Sequence, residues 1–294
     1  MTETKNSGVS DICNLCPKKC GVDRDLKKGF CNQNNDIKIS LYQLHKFEEP
    51  VISGKNGSGA IFFCGCNMRC KFCQNSKISR GGGKTVTNEE LTDIFNKLIN
   101  MGTNNINLVT PTHYTKKLSE ILENKFTVPI VWNSSGYELP ESIKLLNEKV
   151  DIFMPDLKYS DNDLALKYSF CGDYFEYAKK AIEQMVKQTK PLYINENGIM
   201  QSGVLIRHLV LPGQITNTKK IIDYVSKTYK NDVLFSLMFQ YIPFNLNNND
   251  PLNRKVNKRE YDILTDYLFS SDIENGFVQE LSSANKVYIP DFAD

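Results

Sequence analysis

The stretch Gly59-Ala60-Ile61-Phe62-Phe63-Cys64-Gly65-Cys66-Asn67-Met68-Arg69-Cys70-Lys71-Phe72-Cys73 decides how the rest of the chain is read. Ala60 to Phe63 is an apolar run closed by Gly59 and Gly65, the pattern of a short buried strand. Three cysteines, at 66, 70 and 73, follow on the loop at its C-terminal end. Beyond them, Asn88 reads as an N-cap with Glu89 and Glu90 in the first turn. Leu91, Ile94, Phe95, Leu98 and Ile99 then recur at helical spacing until Gly102. The alternation continues with strands over 106–109, 129–132, 150–154, 204–211 and 233–239. Helices are expected near 114–124, 139–146, 161–188, 218–229 and 259–269. Six strands alternating with helices predict βα units around a parallel sheet, open or closed into a barrel.

The 294 residues carry 36 basic and 34 acidic side chains, a formal charge of +2. So even a balance gives no general drive towards nucleic acid or an anionic membrane. No apolar run approaches the ~20 residues of a membrane span. The opening MTETKNSGVSD lacks the apolar segment of a secretory signal, so a cytoplasmic chain is expected. The asparagine-rich run from Asn245 to Asp250 reads as a polar loop.

Nine cysteines are the unusual quantity: 13, 16, 20, 31, 64, 66, 70, 73 and 171. In a reducing compartment such clusters hold metal more often than disulfides. Cys13, Cys16, Cys20 and Cys31 form one group, suited to tetrahedral zinc or to an all-cysteine iron–sulfur cluster. Residues 1–57 are expected to be a small loop-rich module stapled by that metal, and 58–294 the α/β domain. Cys171 stands apart and reads as a buried inert thiol.

Cys66, Cys70 and Cys73 make the second group. Zinc would need Cys64 as a fourth ligand. An iron–sulfur cubane held by three thiolates instead leaves one iron open, and S-adenosylmethionine (SAM) can chelate it through its amino and carboxylate groups. The segment resembles the CxxxCxxC motif of radical SAM enzymes. Other stretches extend the likeness. Asp151-Ile152-Phe153-Met154-Pro155-Asp156-Leu157-Lys158, Asn133-Ser134-Ser135-Gly136-Tyr137 and Arg207-His208-Leu209-Val210-Leu211-Pro212-Gly213 are similar to segments of activating enzymes for glycyl radical proteins. As a whole the sequence resembles a pyruvate formate-lyase activating enzyme-like branch with an N-terminal cysteine module.

The resemblance implies a partial (β/α)6 barrel with a [4Fe-4S] cluster on Cys66, Cys70 and Cys73 and SAM beside it at the mouth. Phe72 takes the place of an aromatic residue near the adenine. Asn133, Ser134, Met154 and Asp156 fall where SAM is positioned, and of the alternating pair Arg207 and His208 the guanidinium suits its carboxylate. The Gly-Gly-Glu segment of the better known activases has no match, and Asn107 and Thr112 stand as polar replacements. The implied activity is reductive cleavage of SAM to a 5′-deoxyadenosyl radical, with flavodoxin or ferredoxin as reductant. Its target is a glycyl radical enzyme, or alternatively a peptide or small molecule. A non-enzymatic iron–sulfur electron carrier is the reading from a different class. His45 and His113 read as ordinary loop histidines, and Glu48 and Glu49 as a solvated acidic pair. Gly81-Gly82-Gly83-Lys84-Thr85 lacks the earlier glycine and the preceding strand of a phosphate loop.

Overall fold

The computed structural model describes residues 12–244, 246–285, 290 and 292. The polar opening 1–11 and Asn245 lie outside the described residues. The first strand, β1 (Ile37–His45), leads through the one-turn helix α1 (Pro50–Ser53) into β2 (Ser58–Phe63). After the cysteine loop come α2 (Ser76–Ser79) and the short β3 (Lys84–Val86). Regular alternation follows: α3 (Asn88–Asn100), β4 (Ile106–Val109), α4 (Thr115–Ile121), β5 (Ile130–Ser134), α5 (Pro140–Lys144) and β6 (Ile152–Pro155). Two helices, α6 (Asn162–Ser169) and α7 (Tyr174–Gln188), precede β7 (Tyr193–Ile194) and the long β8 (Met200–Leu209). The chain continues through α8 (Ile215–Thr228), β9 (Leu234–Met238), α9 (Lys258–Phe269) and β10 (Gly276–Val278).

The strands lie in the order β10-β9-β8-β6-β5-β4-β2-β1-β3, with β7 attached to β8. From β2 to β10 along this path every pairing is parallel, while β1 pairs antiparallel with β2 and β3 with β1. The fold is therefore α/β with a mostly parallel sheet, in the manner of an open partial barrel. The expected division at residue 57 is spanned by hydrogen bonds, because β1 extends the sheet directly from β2.

Parallel strands are buried on both faces, and β2, β4, β5 and β6 are buried throughout. One face carries Leu108, Trp132, Phe153, Ile206 and Phe235 into a core shared with the helices. The other carries Val131, Ile152, Met154, Leu205 and Leu234, which pack against Val51 and Ile52 of α1. Helix α1 thus plugs the concave side of the sheet, and its preceding residues enter the same interior.

Two details differ from the sequence reading. The N-cap of α3 is Thr87, not Asn88: Thr87 Oγ1 accepts from Glu90 N at 3.1 Å, and Glu90 Oε2 accepts from Thr87 N at 2.9 Å. The helix expected over 161–188 is two helices, because Phe170 at the end of α6 turns left-handed at φ 57°.

Candidate active site

The loop after β2 is held in place from several directions. Gly65 has φ 90°, and a Cβ there would lie 2.5 Å from Gln33 Cγ and 2.6 Å from the Cys31 carbonyl oxygen. Only glycine permits so close an approach of the two segments. Cys66 N donates to Cys31 O at 3.3 Å, Lys71 N to Tyr168 O at 2.8 Å, and Gly65 N to Ile78 O at 2.8 Å. Asn67 Nδ2 donates to Tyr137 O at 2.7 Å.

These restraints set Cys66, Cys70 and Cys73 on the wall of a cavity of about 250 Å³ at the C-terminal ends of the parallel strands. Met68 N donates to Cys66 Sγ at 3.4 Å, and Ser169 Oγ donates to Cys70 Sγ at 2.9 Å. Burial raises the Cys70 thiol, with nearby Lys158 opposing it and Cys66 adding to it. Burial pushes the Cys73 thiol up to about 12, and Cys70 and Cys66 add to the rise. Cys64 is not in this wall. It is fully buried among Ala60, Phe62 and Ile78, and burial lifts its thiol to about 11.

Three thiols share one short loop. Cys66 and Cys70 accept hydrogen bonds, and the Lys158 ammonium favours thiolate at Cys70 and Cys73. That donor set suits a cluster of several irons. Among the described residues no three His, Cys, Asp or Glu side chains converge as a single metal ion requires. A cubane makes no such demand, because each cysteine meets its own iron.

Facing the cysteines is a buried polar layer centred on Arg207. Its Nη1 lies 3.1 Å from Glu48 Oε2 and 3.7 Å from Glu49 Oε2, and its Nη2 lies 3.0 Å from Asp156 Oδ1. Nη2 also donates to Asn133 Oδ1 at 2.7 Å. Asp156 accepts in addition from the Lys158 ammonium. Lys158 and Arg207 hold the Asp156 carboxyl below its ordinary value although burial alone would raise it. Burial pushes the Glu49 carboxyl up to about 7, with Arg207 opposing and Glu48 reinforcing the rise. The solvated acidic pair expected from sequence is thus corrected. Glu49 is 5% exposed, because α1 carries both carboxylates under the sheet.

Of the residues expected near SAM, Phe72, Asn133, Ser134, Asp156 and Arg207 line the cavity. Phe72 is braced by the Tyr241 ring at 5.6 Å. Ser134 commits its hydroxyl to Glu138. Three others lie behind the lining. Met154 packs with Val131, Ile152 and Leu205, one layer beneath Asp156. Thr112 Oγ1 donates to Glu138 Oε1 at 2.9 Å, which turns it away from the cavity. Asn107 is fully buried, and neither of its side-chain polar atoms has a hydrogen-bond partner. Glu138, which sequence reasoning did not single out, collects Thr112, Ser134 and the Trp132 indole N–H and so locks the β5 end.

His208 faces the opposite side of the sheet from Arg207, with Nδ1 on Leu157 O at 2.6 Å and Nε2 on Thr218 Oγ1 at 2.9 Å. His113 lies behind the cysteine loop and bonds through Nε2 to Cys64 O at 2.7 Å. Burial and Arg24 lower its ring to about 3. His45 lines the cavity beside Phe47. Lys158, the last residue of the 151–158 segment, also lines the cavity, a position that the sequence pattern alone does not distinguish.

In the N-terminal group, Cys16 and Cys31 are buried and Cys13 and Cys20 half-buried. A Cβ on Gly29 would come 3.1 Å from Cys20 Sγ and 3.6 Å from Cys31 Sγ. Burial raises the Cys31 thiol, and Cys13 and Cys20 contribute to the rise. The four sulfurs therefore occupy one neighbourhood, immediately beside the loop that bears Cys66.

A family model described as the radical SAM superfamily matches residues 60–225. An uncharacterized protein of Methanocaldococcus jannaschii is 33% identical over 267 residues, 84% of this chain and 71% of the relative. Among solved structures, a spore photoproduct lyase mutant with dinucleoside spore photoproduct superposes with TM-score 0.50 at 12% identity, over 81% of this chain and 79% of that one. Methylornithine synthase gives 0.49 at 16% identity, covering 69% and 59%. Streptococcus suis SuiB gives 0.48 at 14% identity, over 74% of this chain, and the chain spans 48% of its length. No helix among the described residues is long and apolar enough to cross a membrane.

Proposed function

The chain belongs to the radical SAM superfamily, and from that premise we propose that it is an enzyme that starts radical chemistry on a polypeptide substrate presented at the cavity mouth. The observation that carries this reading is the cavity itself, which Cys66, Cys70 and Cys73 line together with Arg207, Glu48 and Asn133. When bound, an iron–sulfur cluster supplies a low-potential electron there and SAM the source of the hydrogen-abstracting radical.

The chain's own residues provide the rest. Cys66, Cys70 and Cys73 would hold the cluster, with Met68 N–H and Ser169 Oγ–H stabilising thiolate at two of them. Arg207 and Glu48 are a guanidinium and a carboxylate 3.1 Å apart. That pair complements a zwitterionic amino-acid head group, the guanidinium taking carboxylate and Glu48 taking ammonium. Asn133 and Asp156 fix the Arg207 fork from its other side. Phe72 offers its ring to the adenine.

The size of the cavity bears on the substrate. About 250 Å³ lies below the usual range of roughly 300–1,000 Å³ for a drug-sized ligand. With the cluster and SAM taking up this space, the reacting C–H would be offered at the rim, as an extended loop or peptide can do. This supports activation of a glycyl radical protein or modification of a peptide over capture of a small metabolite. The same reading gives Cys13, Cys16, Cys20 and Cys31 a second iron–sulfur cluster, since among the described residues no three such side chains converge as a single zinc ion requires. Iron and zinc content of the wild type and of Cys31→Ser, measured after oxygen-free purification, tests that assignment.

The deciding experiment is anaerobic reconstitution followed by dithionite and SAM. Production of 5′-deoxyadenosine is expected, with Cys70→Ser giving none. Glu48→Gln and Arg207→Lys are each expected to weaken SAM binding about 10- to 100-fold, read by equilibrium titration. No product from protein with a fully assembled cluster would point to an electron carrier. With glycine-deuterated partner protein, label appearing in 5′-deoxyadenosine supports the activase role, and its absence for every partner tried speaks for a peptide substrate.

A further inference from the structure

Strand β2 divides its side chains between two interiors. Ile61 and Phe63 enter the core shared with the helices, while Ala60 and Phe62 face the other way, with Cys64 just beyond them. Val109, the register partner of Phe62 on β4, joins that second group, as does Ile78 of α2. Farther along the sheet, α1 covers the concave face with Val51 and Ile52. At the β2 end the cover comes from a distant part of the chain. Phe292 is 4% exposed, and its ring meets the Phe62 ring edge-on at 5.3 Å.

The recess that Phe292 fills is also part of the candidate active site. Phe62, Ile78 and Val109 line the cavity that bears Cys66, Cys70 and Cys73, and Asn285 and Pro290 line it as well. The chain therefore already seats a piece of polypeptide at the rim, anchored by an aromatic side chain. The manner of its attachment is one that a separate peptide can reproduce. Neither Pro290 nor Phe292 belongs to a strand or helix, and Pro290 has no amide hydrogen to give to a ladder. The Phe292 carbonyl accepts from Lys77 Nζ at 3.4 Å, a long bond. Beyond the recess the apolar surface runs on to the rim. The His45 ring lies 6.3 Å from that of Phe62 and 5.8 Å from that of Phe47, which is 58% exposed.

We propose that this recess is a side-chain subsite for the polypeptide substrate, and that Phe292 fills it in cis, so that the chain's own segment and the substrate compete for one place. The proposal deepens the function put forward above and rests on it. It gives the substrate a chemical mark, an aromatic or large aliphatic side chain close in sequence to the reacting carbon. Ala60, Phe62, Ile78 and Val109 offer such a side chain apolar contact and no ionic partner. A charged residue entering there would lose its hydration uncompensated, so the subsite selects against it. Competition in cis follows from tethering, because a segment of the same chain re-enters ahead of a dilute peptide. Weakening the Phe292 ring contact releases the site.

The test uses the full chain as the anaerobic holoenzyme with SAM, and two probes. The first is a fluorescein-labelled synthetic peptide with the sequence of residues 286–294. Phe292→Ala is expected to bind it about tenfold or more tightly than wild type does. The same peptide with alanine in place of its phenylalanine should bind neither protein, and Phe292→Leu should fall between the two. The second probe is a randomised peptide mixture built from deuterated amino acids and reacted in the presence of dithionite. Transfer of deuterium into 5′-deoxyadenosine should rise about fivefold or more from wild type to Phe292→Ala, and the dye-free 286–294 peptide should suppress it. Peptides captured by Phe292→Ala should be enriched in aromatic and large aliphatic residues. Equal peptide binding and equal deuterium transfer by wild type and Phe292→Ala would overturn the proposal, as would transfer indifferent to the 286–294 peptide. Formation of 5′-deoxyadenosine without label from any peptide would instead sink the polypeptide reading of the cavity, and the binding comparison would still judge the recess.

Discussion

Glu49 shows how strongly one residue's chemistry depends on where an element carries it. It is buried, its Oε1 has no hydrogen-bond partner, and its carboxyl is lifted to about 7. An acid with a folded pKa above the ordinary value binds its proton more tightly in the native chain. Its contribution to stability is therefore full below pH ~4 and is lost as pH rises through about 7. Glu49→Gln is expected to match wild type in urea denaturation at pH 5 and to exceed it by about 1–3 kcal/mol at pH 8.5. Identical pH dependence of the two proteins would contradict the burial of an ionisable group there. Sequence alternation does separate Arg207 from His208, because residues two apart share a face and adjacent ones do not. It cannot show that Glu48 and Glu49 turn inward, since the helix that follows them is a single turn without periodicity. Nor can it show that Glu138 captures Thr112 and Ser134 from different points in the chain.

At the scale of elements, α1 and the cysteine loop carry most of the consequence. Ile52 is fully buried in the concave core. Ile52→Ala should cost about 2–5 kcal/mol in chemical denaturation, and a cost below about 1 kcal/mol would show that α1 is not a plug. Gly65→Ala must displace either Gln33 or the Cys31 carbonyl, given the 2.5 and 2.6 Å approaches. Iron content after reconstitution should fall well below that of wild type, and full iron loading would show that the loop tolerates the shift. The helices and parallel strands were legible because each keeps one period for its whole length. Strand β1 was not, because its apolar side switches: Ile37 and Ile39 lie in register before an irregularity between Ile39 and Leu41. The break between α6 and α7 was hidden for a related reason, as the left-handed residue that ends α6 is Phe170 and not glycine.

Across the whole molecule, the sequence pattern of six βα repeats is enough for the α/β class and for the position of the cysteine loop at the strand ends. It does not say that residues 12–36 fold against that loop, because the contacts are specific: Cys31 O with Cys66 N, Phe30 with Arg69, and Gln33 against Gly65. The two cysteine groups, well separated along the chain, are thereby brought side by side. Everything proposed for this region depends on a cluster whose three protein thiolates leave one iron for SAM to complete. The direct measurement is the electron paramagnetic resonance spectrum of the reduced, oxygen-free protein, recorded before and after SAM is added. A changed set of g values is expected in wild type, with a weaker response in Arg207→Lys at the same SAM concentration. A spectrum that stays the same through saturating SAM would contradict an open coordination site on the cluster.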